Sequence, residues 1–568
     1  MKKIFKPALS AMCFAVLLSL VIYACKKPTE GLELIIKTDA LSKSPTLIEY
    51  VNANPRGTAI PAKMAVTITD PLKVVQAEDG ATTIFTAYNG LLPLSLIRTA
   101  TPSVATPVKF TITAAPAGFL SVVSTINITS DTAAINTVVP LIEYARPPAG
   151  TSVLVTTTAL TGGTSGLQTL NIPATAPTEA CTITIAAGTQ VKDKNGSVIN
   201  ANSLVSNIVH LGTTTQDAYN AFPGGFNPSN IIGPDGSAIP KGATFVTAGL
   251  VSIRMLAGGT SGTAVKSFSK PVTVNMGINP KLINPLTGVL VKVGDVIPIW
   301  SLDEDSGQWT YEATAKVIKN ADGSLAIVFS VSHLSAWNVD WYGTACGSSL
   351  SVTVKISGLP TGLGLDGYEL FLATANDQYL GGLYTDNSWS HTVTLYNGFM
   401  ATLPVVPANL GNVKMVIYSR RGDPTSKISE SALFNPCSTS SIPVSMTAPL
   451  IPDLIKSHIN LVAKCTSKQI VAYPTAWLVL KDVTDPTAVI TANVHMVNGI
   501  VDVKLISGHT YTLGTVYNGR SFSSGSFKVD RTSNPQIPSS TGLSGTAVYD
   551  APSQTLNINT LFTLTSCG

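Results

Sequence analysis

Thr182-Ile183-Thr184-Ile185-Ala186-Ala187-Gly188-Thr189 runs almost directly into Val191-Lys192-Asp193-Lys194-Asn195-Gly196-Ser197-Val198. Apolar and hydroxylated residues alternate with a period of two, and β-branched residues dominate. Asp193-Lys194-Asn195-Gly196 punctuates the segment with turn chemistry. The pattern predicts strand, hairpin turn, strand. The same pattern recurs in both directions. Upstream lie Lys63-Met64-Ala65-Val66-Thr67-Ile68-Thr69 and Pro107-Val108-Lys109-Phe110-Thr111-Ile112, with turn signals at Asp79-Gly80 and Asn89-Gly90. Downstream lie Phe245 to Met255 and Lys266 to Met276. The 45 glycines and 36 prolines are spread along the chain, as many short strands require. The expected class is all-β, as tandem β-sandwich (Ig-like or transthyretin-like) domains in an elongated array.

At 568 residues the chain holds roughly three to five such domains. Only 12% of residues are charged and the formal net charge is +4, so neither nucleic acid nor another polyanion is an expected partner. Seven cysteines include five beyond residue 25: Cys181, Cys346, Cys437, Cys465 and Cys567. Five leave one unpaired and allow fifteen ways to make two bridges. The spacing favours Cys346–Cys437 and Cys465–Cys567, each closing one domain, with Cys181 free and buried; Cys437–Cys465 is the rival pairing.

The first 27 residues resemble a bacterial lipoprotein signal peptide. Lys2, Lys3 and Lys6 precede an apolar run, which ends at Ile22-Tyr23-Ala24-Cys25 before Lys26-Lys27. Tyr23 departs from the small or β-branched residue usual at that place. The run is shorter than a membrane-spanning helix requires. The resemblance implies cleavage after residue 24 and a diacylglyceryl group on Cys25, so that the chain meets the membrane through this anchor. Outer-membrane attachment follows, facing the cell surface or the periplasm. Lys26-Lys27, with only Glu30 nearby, lack the acidic residues that some lineages use to export lipoproteins.

The expected division is signal peptide over 1–24, tether and first strand over 25–55 (with Gly31 to Asp39 as the strand), and β domains over 56–147, 148–342, 343–450 and 451–568. Residues 56–147, with the lead-in Gly57-Thr58-Ala59-Ile60-Pro61, resemble the transthyretin-like sandwich called carboxypeptidase regulatory-like. Gly508-His509-Thr510-Tyr511-Thr512-Leu513 gives the last domain the same resemblance. The strand ending in Ile185-Ala186-Ala187-Gly188-Thr189 and the later Phe268-Ser269-Lys270-Pro271-Val272-Thr273-Val274 are similar to the ZU-type domain of ankyrins and netrin receptors. Ile297-Pro298-Ile299-Trp300, Asp303 to Trp309 and His333 to Trp337 resemble a segment of astroprincin-type extracellular proteins. Such modules imply spacers and binding surfaces. The last two domains share a cadence, Val393 to Gly398 against Val503 to Gly508, each running on to Thr-Leu.

No Cys-x-x-Cys, His-Glu-x-x-His or Gly-x-Ser-x-Gly motif is present. Gly-Gly-Thr-Ser-Gly occurs at 162–166 and 258–262 and reads as loop. The six histidines are scattered singly, so no metal or other cofactor is expected. Asp303-Glu304-Asp305 carries carboxylates a calcium ion accepts, yet lacks the ligand spacing of a calcium loop and reads as a charged turn. Arg421-Gly422-Asp423-Pro424 reads as an exposed turn. Four of six tryptophans fall at Trp300, Trp309, Trp337 and Trp341. They are expected to fill a β core, the sharper alternative being an aromatic platform.

Three function classes follow. The first is a non-enzymatic envelope lipoprotein whose modules act as spacer and binding surface, for adhesion or ligand presentation to a protein or glycan. The second is a glycan-binding lipoprotein working with an outer-membrane importer, with Tyr379, Tyr384 and Trp389 as ligand aromatics. The third is a hydrolase with two carboxylates brought together from distant positions. No catalytic residue is nominated.

Overall fold

A computed structural model describes residues 34–37 and 43–564, except 55, 79, 81–82, 104, 175–177, 241, 347–349, 362–363, 383–392, 404–406, 419–426, 450–451, 466–469, 485–491, 518 and 533–535. The chain is all-β, built of tandem β-sandwich modules. The only helix among the described residues is the five-residue Gln216–Asn220, capped by Thr215. No helix among them is long and apolar enough to cross a membrane.

The first module is an eight-stranded sheet folded around Ile48, Tyr50, Phe85, Leu92, Phe110 and Ile126. Its turn at Asn89-Gly90 has both residues at positive φ, 48° and 85°, which closes the tight hairpin Phe85–Tyr88/Leu91–Leu96. The strand Lys43–Asn52 belongs to this sheet. It pairs antiparallel with Leu91–Leu96 and parallel with Ile135–Leu141. This differs from the expected start at residue 56. Leu47, Ile48, Glu49 and Tyr50 are all buried, so the strand has no alternation to betray it.

The second module, over 151–344, is dominated by one fourteen-stranded sheet curled on itself. The stretch around 182–198 forms two strands, Cys181–Ile185 and Thr189–Lys192, but they pair side by side with Ser267–Gly277 rather than with each other, and the turn at Asp193-Gly196 closes only an isolated bridge between Lys192 and Val198 instead of a second hairpin strand. Cys181–Ile185 pairs with Gln168–Ile172 and Ser267–Gly277, with Cys181, Ile183 and Ile185 buried. Asp193 Oδ1 accepts from the N–H of Asn195 (2.8 Å) and Ser197 (2.9 Å), fixing the turn. The tryptophans are core residues: Trp300 and Trp309 pack around Phe245, while Trp337 and Trp341 sit in the neighbouring core. All four are at most 2% exposed, which excludes them as a platform.

The third module is a sandwich of a three-stranded and a five-stranded sheet over 350–447. Cys346–Cys437 closes it, with Cα atoms 5.3 Å apart. The fourth pairs a seven-stranded with a six-stranded sheet over 454–564. It opens with the twelve-residue strand Leu454–Cys465. Cys465 is disulfide-bonded; Cys567, the partner the sequence nominates, lies outside the described residues. Cys181 is a buried free thiol.

Leu34–Lys37 does form a strand, within the expected segment. It pairs in parallel with Ile470–Tyr473, at the edge of the fourth module's larger sheet. The first module rests on the fourth: Asn89 Nδ2 donates to Ser521 Oγ (2.9 Å), Asn493 Nδ2 to Glu49 Oε2 (2.9 Å), and His495 Nε2 lies 3.5 Å from Glu78 Oε1. It also meets the second module. Ser121 Oγ donates to Glu304 Oε2 (2.9 Å), and Thr113 Oγ1 donates to the Glu304 carbonyl (3.3 Å).

Candidate binding surface

The second module carries a short hairpin, Ile283–Asn284 against Val289–Leu290, with Ile283 opposite Leu290. Two side chains anchor it. Leu282 and Val291 are buried in the core, and Val291 N–H donates to the Leu282 carbonyl (2.8 Å). Asn284 fixes the tip: its Oδ1 accepts from Leu286 N–H (3.0 Å), and its carbonyl from the N–H of Thr287 (3.2 Å) and Gly288 (2.8 Å). Asp295 fixes the base. Its Oδ2 accepts from Asn284 Nδ2 (3.2 Å) and Lys292 N–H (3.1 Å), while its backbone carbonyl accepts from Val317 N–H (2.8 Å).

On this fixed frame the apolar side chains face outward. Leu286 is 59% exposed, Val289 50%, Leu290 54%, Val293 55% and Val296 45%. Single exposed apolar residues are ordinary on a protein surface, but five within eleven positions form a patch of the kind that marks an interaction site. Exposed lysines adjoin it: Lys281 and Lys292 flank the hairpin in the chain, and Lys316 lies opposite Val296 on the next strand. Asp295, the one carboxylate between positions 281 and 296 of the chain, is engaged in the hydrogen bonds just described. The arrangement is an apolar centre with a cationic margin. It has the means to bind by burial and charge complementarity.

The residues nominated from sequence lie elsewhere. Tyr379 is on the strand Tyr379–Gly382, opposite Ala373. Tyr384, Trp389, Cys25 and the Arg421-Gly422-Asp423 tripeptide lie outside the described residues. Asp303-Glu304-Asp305 is a turn: Asp303 Oδ1 accepts from Asp305 N–H (2.9 Å) and its Oδ2 from Ser306 Oγ (2.8 Å). Glu304 serves the contact between modules. Among the described residues no three His, Cys, Asp or Glu side chains are grouped to hold a metal ion.

The strongly perturbed groups of the second module are core residues. Burial pushes the Cys181 thiol up to about 12 and the His210 imidazole down to about 4. Burial also holds the Asp340 carboxyl well above the usual carboxylate range. Each is at most 1% exposed, out of reach of a dissolved substrate. A denser charge cluster lies in the third module, where Lys414 pairs with Asp377 (2.9 Å) and Glu430 (2.7 Å), and Lys427 pairs with the same two carboxylates. Every charge there has a partner, and the cluster joins the strands Val413–Tyr418 and Lys427–Glu430. Nothing in the sequence separated the hairpin from the many buried strands, because its valines and leucines read as core.

No protein-family model and no curated protein matches the chain. Solved structures similar to it include a C-terminal fragment of the pilus adhesin SpaC from Lactobacillus rhamnosus GG. That likeness has 9% identity and a TM-score of 0.15, covering 39% of this chain and 99% of the fragment. BcpA, the major pilin subunit of Bacillus cereus, has 9% identity over 92% of this chain and 99% of its own, with a TM-score of 0.14. Full-length RrgB pilus protein from Streptococcus pneumoniae has 10% identity over 86% and 93%, with a TM-score of 0.13. Likeness at this level carries no argument about function.

Proposed function

We propose that the protein is a non-enzymatic envelope lipoprotein, anchored through Cys25, whose β modules present a protein-binding surface away from the membrane. The observation that carries this reading is the hairpin over 283–296, held by its own hydrogen bonds with its apolar side chains turned to water. Leaving apolar area exposed forgoes about 25 cal/mol per Å² of burial. A partner recovers that energy. The lysines on the margin select a partner whose apolar contact area is rimmed by Asp and Glu, which is a protein surface rather than an uncharged sugar face. Stacked modules serve as spacer.

A photo-crosslinking amino acid at position 289 of the full chain, activated on intact cells, tests this. The expected result is one discrete adduct, lost when Lys292→Glu and Lys316→Glu are combined, with the unfolding curve unchanged. Failure to form an adduct, or an adduct indifferent to charge reversal, contradicts the reading.

A further inference from the structure

The four residues Leu34–Lys37 pair in parallel with Ile470–Tyr473: Leu34 opposite Ile470, Ile35 opposite Val471, Ile36 opposite Ala472 and Lys37 opposite Tyr473. Their partner strand is more than 430 positions away in the chain. Tracing the sheet from that edge places several chain points at one end of it. Ile470 lies opposite Cys465 in the antiparallel pair with Leu454–Cys465. Cys465 lies opposite Leu564 in the parallel pair with Thr555–Leu564. Leu34, Ile470, Cys465 and Leu564 therefore share one end of the fourth module's larger sheet. Leu543, opposite Phe562, is close to the same end, and the turn over 551–554 is at the other.

We infer that the fourth module, the last in the chain, is the one nearest the membrane, and that it clamps the lipid tether as an added edge strand. The inference rests on the reading of Cys25 as the acylated residue. Eight residues lie between Cys25 and Leu34, and the nine fully extended steps from one to the other reach about 30 Å. The sheet end that holds Leu34 is thereby confined within that distance of the bilayer. Without the strand, the tether would run free to the first module at Lys43, and any module could approach the lipid. With it, the chain enters at the membrane end of the fourth module and climbs its edge. Only then does it start the first module, which rests on the fourth through Asn89–Ser521 and Asn493–Glu49. Main-chain pairing of this kind is a recognised mode of strand addition, in which the ladder supplies affinity and the edge is covered. The clamp also gives the fourth module a function its sequence does not advertise: it sets the direction in which the other modules project.

Two readouts on the full lipidated chain in phosphatidylethanolamine–phosphatidylglycerol vesicles separate the clamp from the anchor. The first is amide exchange over 470–473 in the wild type and in a variant carrying Ile35→Pro and Ile36→Pro, which cannot complete the ladder. The expected result is exchange faster by roughly tenfold or more in the variant, confined to that edge. Equal exchange overturns the clamp. The second readout is energy transfer to acceptor-labelled lipid headgroups from a dye on Thr541→Cys or on Ala551→Cys. Positions 541 and 551 bracket the strand Leu543–Asp550, which spans about 27 Å at ~3.4 Å per residue. Transfer severalfold stronger from position 541 supports the orientation, and equal or reversed transfer overturns it. A chain that does not bind vesicles, while exchange at 470–473 still responds to the prolines, overturns the anchor and with it the orientation, and leaves the clamp standing.

Discussion

His210 and Asp340 lie in the same module, neither in contact with solvent, and their contributions to stability respond to pH in opposite senses. The folded-state pKa of His210 is depressed from 6.5 to about 4 by burial. Between those values the unfolded chain takes up a proton that the folded chain refuses. The contribution of His210 is therefore present above pH 6.5 and is lost as pH falls towards 4. Asp340 is the reverse case. Burial raises its pKa well above 3.8, so its contribution is complete below that value and is lost as pH rises towards the folded pKa. Urea titrations between about pH 4 and pH 7 separate the two. His210→Gln is expected to flatten the acid limb of the stability curve, and Asp340→Asn the limb towards neutral pH. Parallel curves for wild type and variants would refute this account of the core.

Among elements, the strands with clear alternation were legible. Lys63–Thr69 and Val108–Ala114 lie where their patterns put them, with alternate residues buried along most of their length. Lys43–Asn52 was not, because Thr46 to Tyr50 are buried on both faces and polar Ser44, Thr46 and Glu49 sit among the buried residues, so no period of two marks it. The pairing of Leu34–Lys37 was illegible for a different reason: a parallel edge contact across the whole chain leaves no local signature. The candidate surface was hidden by chemistry, since Leu286, Val289 and Leu290 have the composition of core strands and only the fold turns them outward. Cysteine spacing was more informative. Cys346 and Cys437 bracket the third module and are bonded across a separation of 91 residues. Under the loop-entropy model such a closure stabilises by about 4–5 kcal/mol. Replacing both cysteines with serine should lower stability by several kcal/mol, with the greatest gain in amide exchange between 350 and 447. A change confined to the other modules would contradict the assignment.

At the scale of the whole molecule, the modules form a connected body rather than independent beads. The first module touches the second through Glu304 and the fourth through Glu49 and Asn89. The tether strand ties the beginning of the chain to its last sheet. An assembly of this kind can hold the hairpin over 283–296 at a fixed height and direction, which a string of flexibly linked domains cannot do. The proposal that this body is anchored at the outer membrane by lipid on Cys25, facing the cell surface or the periplasm, stands or falls on that one residue. Protease treatment of intact cells, beside a strain carrying Cys25→Ala, tests it most directly. The account predicts that the wild-type protein fractionates with membranes and the variant does not, with loss of the wild-type band on shaving marking the cell surface and its protection the periplasmic face. A variant that still sediments with the membrane fraction would contradict it.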